Sequence, residues 1–134
     1  MKRFFFLFIP LIFFFSCEKE NDTSEVNEPI VTHTVFAGNF YYDPPNITIN
    51  QGEEIRWIND GGLHDVNGEI NSLSNIPFDN PETFNSASTS IVGAEIYRQI
   101  FNIPGFYNYD CSVGGQAGHA LNGMTATITV VAID

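Results

Sequence analysis

Six short segments of this chain alternate between apolar and polar residues, and each is cut off by glycine, proline or asparagine. They are VTHTVF (Val31 to Phe36), NITIN (Asn46 to Asn50), EIRWIN (Glu54 to Asn59), EIYRQIFNI (Glu95 to Ile103), FYNYDC (Phe106 to Cys111) and MTATITVVAI (Met124 to Ile133). Alternation with β-branched and aromatic enrichment predicts strands, because successive side chains of a strand point to opposite faces. It places Ile47 with Ile49, Ile55 with Trp57, Tyr107 with Tyr109 and Cys111, and Ala126 with Ile128 and Val130 on one face of their strands. Turn chemistry separates the segments at Asp43-Pro44-Pro45-Asn46, Gln51-Gly52 and Asn59-Asp60-Gly61-Gly62. The fold expected is all-β, a two-sheet antiparallel sandwich of Greek-key type. Residues 66–92 interrupt it. They are rich in Asn and Ser, contain Pro77 and Pro81, and read as a long irregular insertion with a helical turn near Pro81-Glu82-Thr83-Phe84.

The N-terminus speaks to place. Lys2 and Arg3 precede an apolar run from Phe4 to Phe15, short of the roughly 20 residues that span a bilayer as a helix. A basic start, a short apolar stretch and a small residue, Ser16, before Cys17 resemble a bacterial lipoprotein signal peptide over residues 1–16, with Cys17 as the lipidated residue. The acidic stretch after it, residues 17–29, has no apolar periodicity and reads as a flexible tether. The domain then covers residues 30–134. The implied location is the cell envelope of a Gram-negative bacterium, periplasmic face or cell surface, with the membrane met only through the lipid. Without Lys2 and Arg3, three basic residues face sixteen acidic ones, a net charge of −13. That sign excludes a nucleic-acid binder and favours cationic partners.

Chemistry gathers in one stretch, DCSVGGQAGHALNGM, from Asp110 to Met124. If Cys17 carries lipid, Cys111 has no disulfide partner; if Met1 leaves with the signal, Met124 is the sole Met. His119 stands between them. Soft sulfur ligands with imidazole suit copper, and two His, one Cys and a long axial Met make the blue-copper electron-transfer arrangement. The second His must come from His33 or His64. His64 lies in a glycine-rich loop, NDGGLHDVNG, where binding residues are commonly presented. His33 lies inside a strand and reads as an ordinary core-edge or surface residue.

These residues carry a family resemblance. The stretches TVFAGNFYYDPPNITINQGEEIRWINDGGLHDVN, FNIPGFYNYDCSVG and HALNGMTATITVV resemble the cupredoxins, the plastocyanin/azurin group of copper proteins. The resemblance implies a mononuclear copper ion, Cu(I)/Cu(II), held by His64, Cys111, His119 and Met124. It implies a carrier of single electrons, with His119, Ala120 and Leu121 as the electron door and a basic redox protein such as a c-type cytochrome as partner. Two departures stand out. Eight positions separate Cys111 from His119, more than is usual in the mononuclear members. The binuclear relatives with a similar spacing need a second Cys where Gly115 stands. The residue after His64 is Asp65 rather than the usual Asn. Its carboxylate is expected to accept hydrogen bonds from Ser112 or a loop N–H and to lower the reduction potential. The alternatives are a copper carrier or store and a metal-free interaction domain. No nucleophile–base pair with an oxyanion hole is evident, so the expectation is a monomer that is not an enzyme.

Overall fold

The computed structural model describes residues 30–134. The signal peptide, the lipidated Cys17 and the acidic tether lie outside the described residues. Seven strands are present among those described: β1 (Thr32–Gly38), β2 (Tyr41–Asp43), β3 (Asn46–Asn50), β4 (Glu54–Asn59), β5 (Glu95–Ile100), β6 (Gly105–Asp110) and β7 (Thr125–Val131). They form two sheets with strand orders β2-β1-β4-β5 and β3-β7-β6. The Greek-key β-sandwich expected from the alternation is the fold found. Three pairings are antiparallel, and each sheet also contains one parallel pair, β1 with β4 and β3 with β7.

The alternating positions are what close the two sheets on each other. Ile55, Trp57, Tyr107 and Ile128 are fully buried, with Ile49, Tyr109 and Val130 nearly so. Each such side chain contributes about 1.5–3 kcal/mol by leaving water. Trp57 is the centre, with ring neighbours Phe84 at 6.0 Å, Tyr109 at 5.6 Å and Phe101 at 6.4 Å.

The insertion behaves as expected in one respect and differently in another. No helical turn forms near Pro81; the segment holds isolated bridges, Asn67↔Asn85, Asn67↔Asp110 and Ile70↔Pro77 among them, and one turn earlier on, where Asn75 N–H donates to Asn71 C=O at 2.8 Å. The reason is Phe84. Its ring is 3% exposed and packs on Trp57, Phe101 and Tyr109, so packing into the core overrides a local helical preference. The insertion also covers the free edge of β6. The Asn80 side chain donates to the Asn108 carbonyl and accepts from the Asn108 N–H, both at 2.8 Å, as a neighbouring strand would.

Candidate metal centre

Two loops at one end of the sandwich carry the site. The first follows β4. Asn59, 1% exposed, shapes it: its side chain donates to the carbonyls of Gly62 (3.0 Å) and Thr89 (2.9 Å) and accepts from Gly61 N–H (2.8 Å). The loop then pairs with the insertion, His64 N–H donating to Thr89 C=O at 3.1 Å and Thr89 N–H to His64 C=O at 2.9 Å. A Cβ at Gly62 would stand 2.6 Å from His64 Nε2, so the close turn requires glycine there. The second loop joins β6 to β7 and holds two short 3-10 turns, Gly115–Ala117 and Ala120–Asn122. The lengthened part is taken up by the first of these. Gly118 lies so close to the Val113 carbonyl that no Cβ fits. His119 N–H donates to Val113 C=O at 2.9 Å, which closes the added residues into a compact bulge.

Three donor atoms converge. Cys111 Sγ is 3.3 Å from His119 Nδ1 and 3.9 Å from His64 Nδ1, and the two Nδ1 atoms are 3.2 Å apart. A triangle with sides 3.2, 3.3 and 3.9 Å has a circumradius of about 2.0 Å. That matches a metal–imidazole bond of roughly 2.0–2.1 Å and lies just inside a metal–thiolate bond of roughly 2.3 Å. His64 is fully buried, and its other nitrogen, Nε2, lies 2.6 Å from the Gly61 carbonyl. An Nε2–H donated there leaves the Nδ1 lone pair facing the sulfur. Cys111 is also fully buried. The donor set therefore fits a soft or borderline cation in the middle of the three.

Electrostatics agree with a group waiting for a cation. Burial pushes the Cys111 thiol up to about 12, partly offset by the backbone N–H groups of Asp65 and Val113, with the Asp65 charge adding to the rise. Burial, then the neighbouring His64 ring, lowers the His119 pKa below the ordinary imidazole value. Cys111 and His119 are thus uncharged at neutral pH unless a cation is present.

The remaining sequence-derived residues have definite places. Met124 is fully buried; its carbonyl accepts from Cys111 N–H and its N–H donates to His119 C=O, both at 3.1 Å. Asp65 accepts from Ser112 N–H at 2.7 Å and from the Ser112 hydroxyl, joining the two loops. His33 lies at the opposite end of β1, with Nε2 2.8 Å from Glu53 Oε2, and takes no part. Ala120, expected at the electron door, is 3% exposed and belongs to the interior because its 3-10 turn folds inward. The Phe40 ring stands 5.1 Å from the His119 ring in a T-shaped contact, and Leu63 and Leu121 are the exposed apolar residues of the two ligand loops.

Sequence reasoning passed over Phe40, Tyr42 and Asn59. Tyr42 donates its hydroxyl to the Asp65 carbonyl at 2.6 Å, from a strand only three residues long. Alternation has nothing to count in β2. Asn59 had a readable signal, an Asn directly before Asp-Gly-Gly, which favours side-chain capping of the turn.

Comparison with known proteins completes the picture. Residues 30–131 match the family model of copper binding proteins, plastocyanin/azurin family. No curated protein matches the chain. Among solved structures, the chain is similar to a copper-containing nitrite reductase from Thermus scotoductus SA-01, with TM-score 0.57 and 25% identity over 77% of this chain. It spans only 23% of that enzyme's chain. A purple cupredoxin from Nitrosopumilus maritimus aligns with TM-score 0.54 and 22% identity over 72% of this chain and 97% of its own. A reduced amicyanin variant aligns with TM-score 0.51 and 20% identity over 79% and 86%. The nitrite reductase overturns the expectation that the chain is not an enzyme. That expectation rested on the lack of a nucleophile and its base, which says nothing of redox catalysis by copper.

Proposed function

Because the chain belongs to the plastocyanin/azurin family of copper binding proteins, we propose that it holds one type 1 (blue) copper ion and carries single electrons. The observation that carries this reading is the triangle of His64 Nδ1, Cys111 Sγ and His119 Nδ1. Met124, buried and tied through its backbone to Cys111 and His119, would be the fourth residue to hold the ion, supplying a weak thioether donor. Bound copper would supply the Cu(I)/Cu(II) couple. The chain supplies rigidity: Asn59, Thr89 and Asp65 fix the His64 loop, and the backbone ties of Met124 fix the other. Ligands held this way move little between oxidation states. Burial of His64, Cys111 and Met124 keeps water from the site.

His119 is the exit. It is partly exposed and packs against Phe40, and the two ligand loops also expose Leu121 and Leu63, with exposures of 41%, 63% and 45% in that order. Exposed apolar side chains on these loops of an acidic protein suit a partner with an apolar contact surface and a basic rim, such as a c-type cytochrome. The same proposal places the protein in the cell envelope, exported by its N-terminal signal and anchored through Cys17.

The test is direct. Copper(II) added to the protein should give an intense blue band and narrow hyperfine splitting in the EPR spectrum. Cys111→Ser should abolish the colour while the far-UV circular dichroism stays that of a β-sandwich. A pale tetragonal spectrum from the unaltered protein would overturn the reading.

A further inference from the structure

Asp110 is the least expected residue beside the site. On β6 the rings of Tyr107 and Tyr109 point inward, so Asp110 belongs to the outer face with Phe106, which is 56% exposed. Yet Asp110 is 1% exposed, because residues of the insertion lie over it. Its Oδ2 accepts from Ser72 N–H at 2.7 Å, and its Oδ1 accepts from the Ser72 hydroxyl at 2.8 Å and the Asn67 amide at 2.7 Å. Its backbone pairs with Asn67 in both directions at 2.9 Å. Five hydrogen bonds therefore join one residue to the insertion. Among the described residues, no basic side chain forms an ion pair with this carboxylate. Burying a carboxylate without a cation is costly, and the hydrogen bonds are what offset it.

The residue it precedes gives the arrangement its meaning. Cys111 is bracketed: Asp110 is tied to the insertion on one side, and Ser112 is tied to Asp65 on the other. A strand end with both neighbours fixed has little freedom to turn its side chain.

We infer that Asp110 is a positioning residue, which clasps the insertion at Ser72 and Asn67 and thereby sets the direction of the Cys111 sulfur. The insertion is then a working part of the site rather than a surface decoration. This rests on the reading of Cys111 as a metal ligand, and it is tested both with and without metal.

Three variants of the full chain suffice. Asp110→Ala removes the clasp, Ser72→Ala removes one hydroxyl from the insertion side without changing charge, and Ile49→Val weakens the core elsewhere, on β3 beside Val130. In the metal-free protein, alkylation of Cys111 by iodoacetamide is followed by peptide mass. Asp110→Ala should speed it by roughly tenfold and Ser72→Ala by a smaller factor, on the scale of one or two lost hydrogen bonds. Ile49→Val should not speed it. In the copper-loaded protein, the first two variants should change the ratio of the visible bands and widen the hyperfine splitting, and Ile49→Val should change neither. Labelling rates and spectra like those of the unaltered protein, with only the melting temperature lowered, would overturn the inference. If Asp110→Ala does not fold, Ser72→Ala decides. If the unaltered protein binds no copper, the proposed function fails and the labelling rates still decide on the clasp.

Discussion

At the scale of single residues, protons and charges set what the site can do. The Cys111 thiol, pushed up to about 12 by burial, keeps its proton at neutral pH in the metal-free protein. A metal needs the thiolate, so binding must release that proton. His119, with its pKa lowered, releases none at neutral pH because it is already neutral. Copper affinity should therefore rise with pH, by about tenfold per unit near neutrality for one proton released. Titration calorimetry in buffers of different ionisation enthalpy measures the proton count, and a count of zero would refute the argument. Asp65 acts through charge instead. Asp65→Asn keeps an acceptor for Ser112 N–H but removes a negative charge that stabilises Cu(II) over Cu(I). The potential should rise, by roughly 100 mV for a unit charge about 7 Å away at an effective dielectric constant of about 20. Protein-film voltammetry that showed a fall or no change would contradict it.

Elements explain what sequence could and could not foretell. The bounds Asn46–Asn50 and Glu54–Asn59 were readable to the residue, because the alternating apolar pairs Ile47 with Ile49 and Ile55 with Trp57 are bounded by turn residues on both sides. The buried faces around Trp57, Tyr107 and Ile128 were readable for the same reason. β2 was not, since three residues define no period. Phe84 was not, because an irregular segment gives no clue to which of its side chains turns inward. The ligand loops were legible as chemistry, one Cys and one His in glycine-rich surroundings, but not the means of holding them. The hydrogen bonds of Tyr42 and Asp110, and the one from Asn59 to Thr89, are contacts between distant parts of the chain. Phe84 anchors the insertion in the core, so Phe84→Ala should lower stability by about 3–5 kcal/mol. Urea denaturation of the metal-free protein measures this; a loss under about 1 kcal/mol would mean that the insertion is held by its hydrogen bonds alone. Gly118→Ala tests the bulge between Cys111 and His119. The added methyl collides with the Val113 carbonyl and should displace His119, weakening copper binding more than it lowers the melting temperature.

The whole molecule acts through its charge. Sequence alone gives an excess of acidic residues, and the fold shows how little offsets it. Within residues 30–134 the only Lys or Arg side chains are Arg56 and Arg98. They face each other across β4 and β5. Arg98 is paired with Glu54 at 3.1 Å and Glu95 at 2.7 Å, and Arg56 Nε donates to Thr34 at 2.8 Å. No positive side chain stands on the insertion or on either ligand loop, while Glu69 and Asp79 there are exposed or partly so. A partner approaching Leu121 and Phe40 thus meets a field of one sign. Such a field steers a basic partner to its encounter and is screened over about 8–10 Å at physiological salt. The rate of electron exchange with a basic c-type cytochrome should then fall by roughly tenfold or more between low and physiological ionic strength. Stopped-flow measurement at several salt concentrations provides the check. The same series with an acidic redox protein should show the opposite slope, because screening there relieves repulsion. Equal, flat dependences on salt for both partners would mean that the acidic surface serves solubility alone and that the exposed apolar residues of the ligand loops choose the partner by shape.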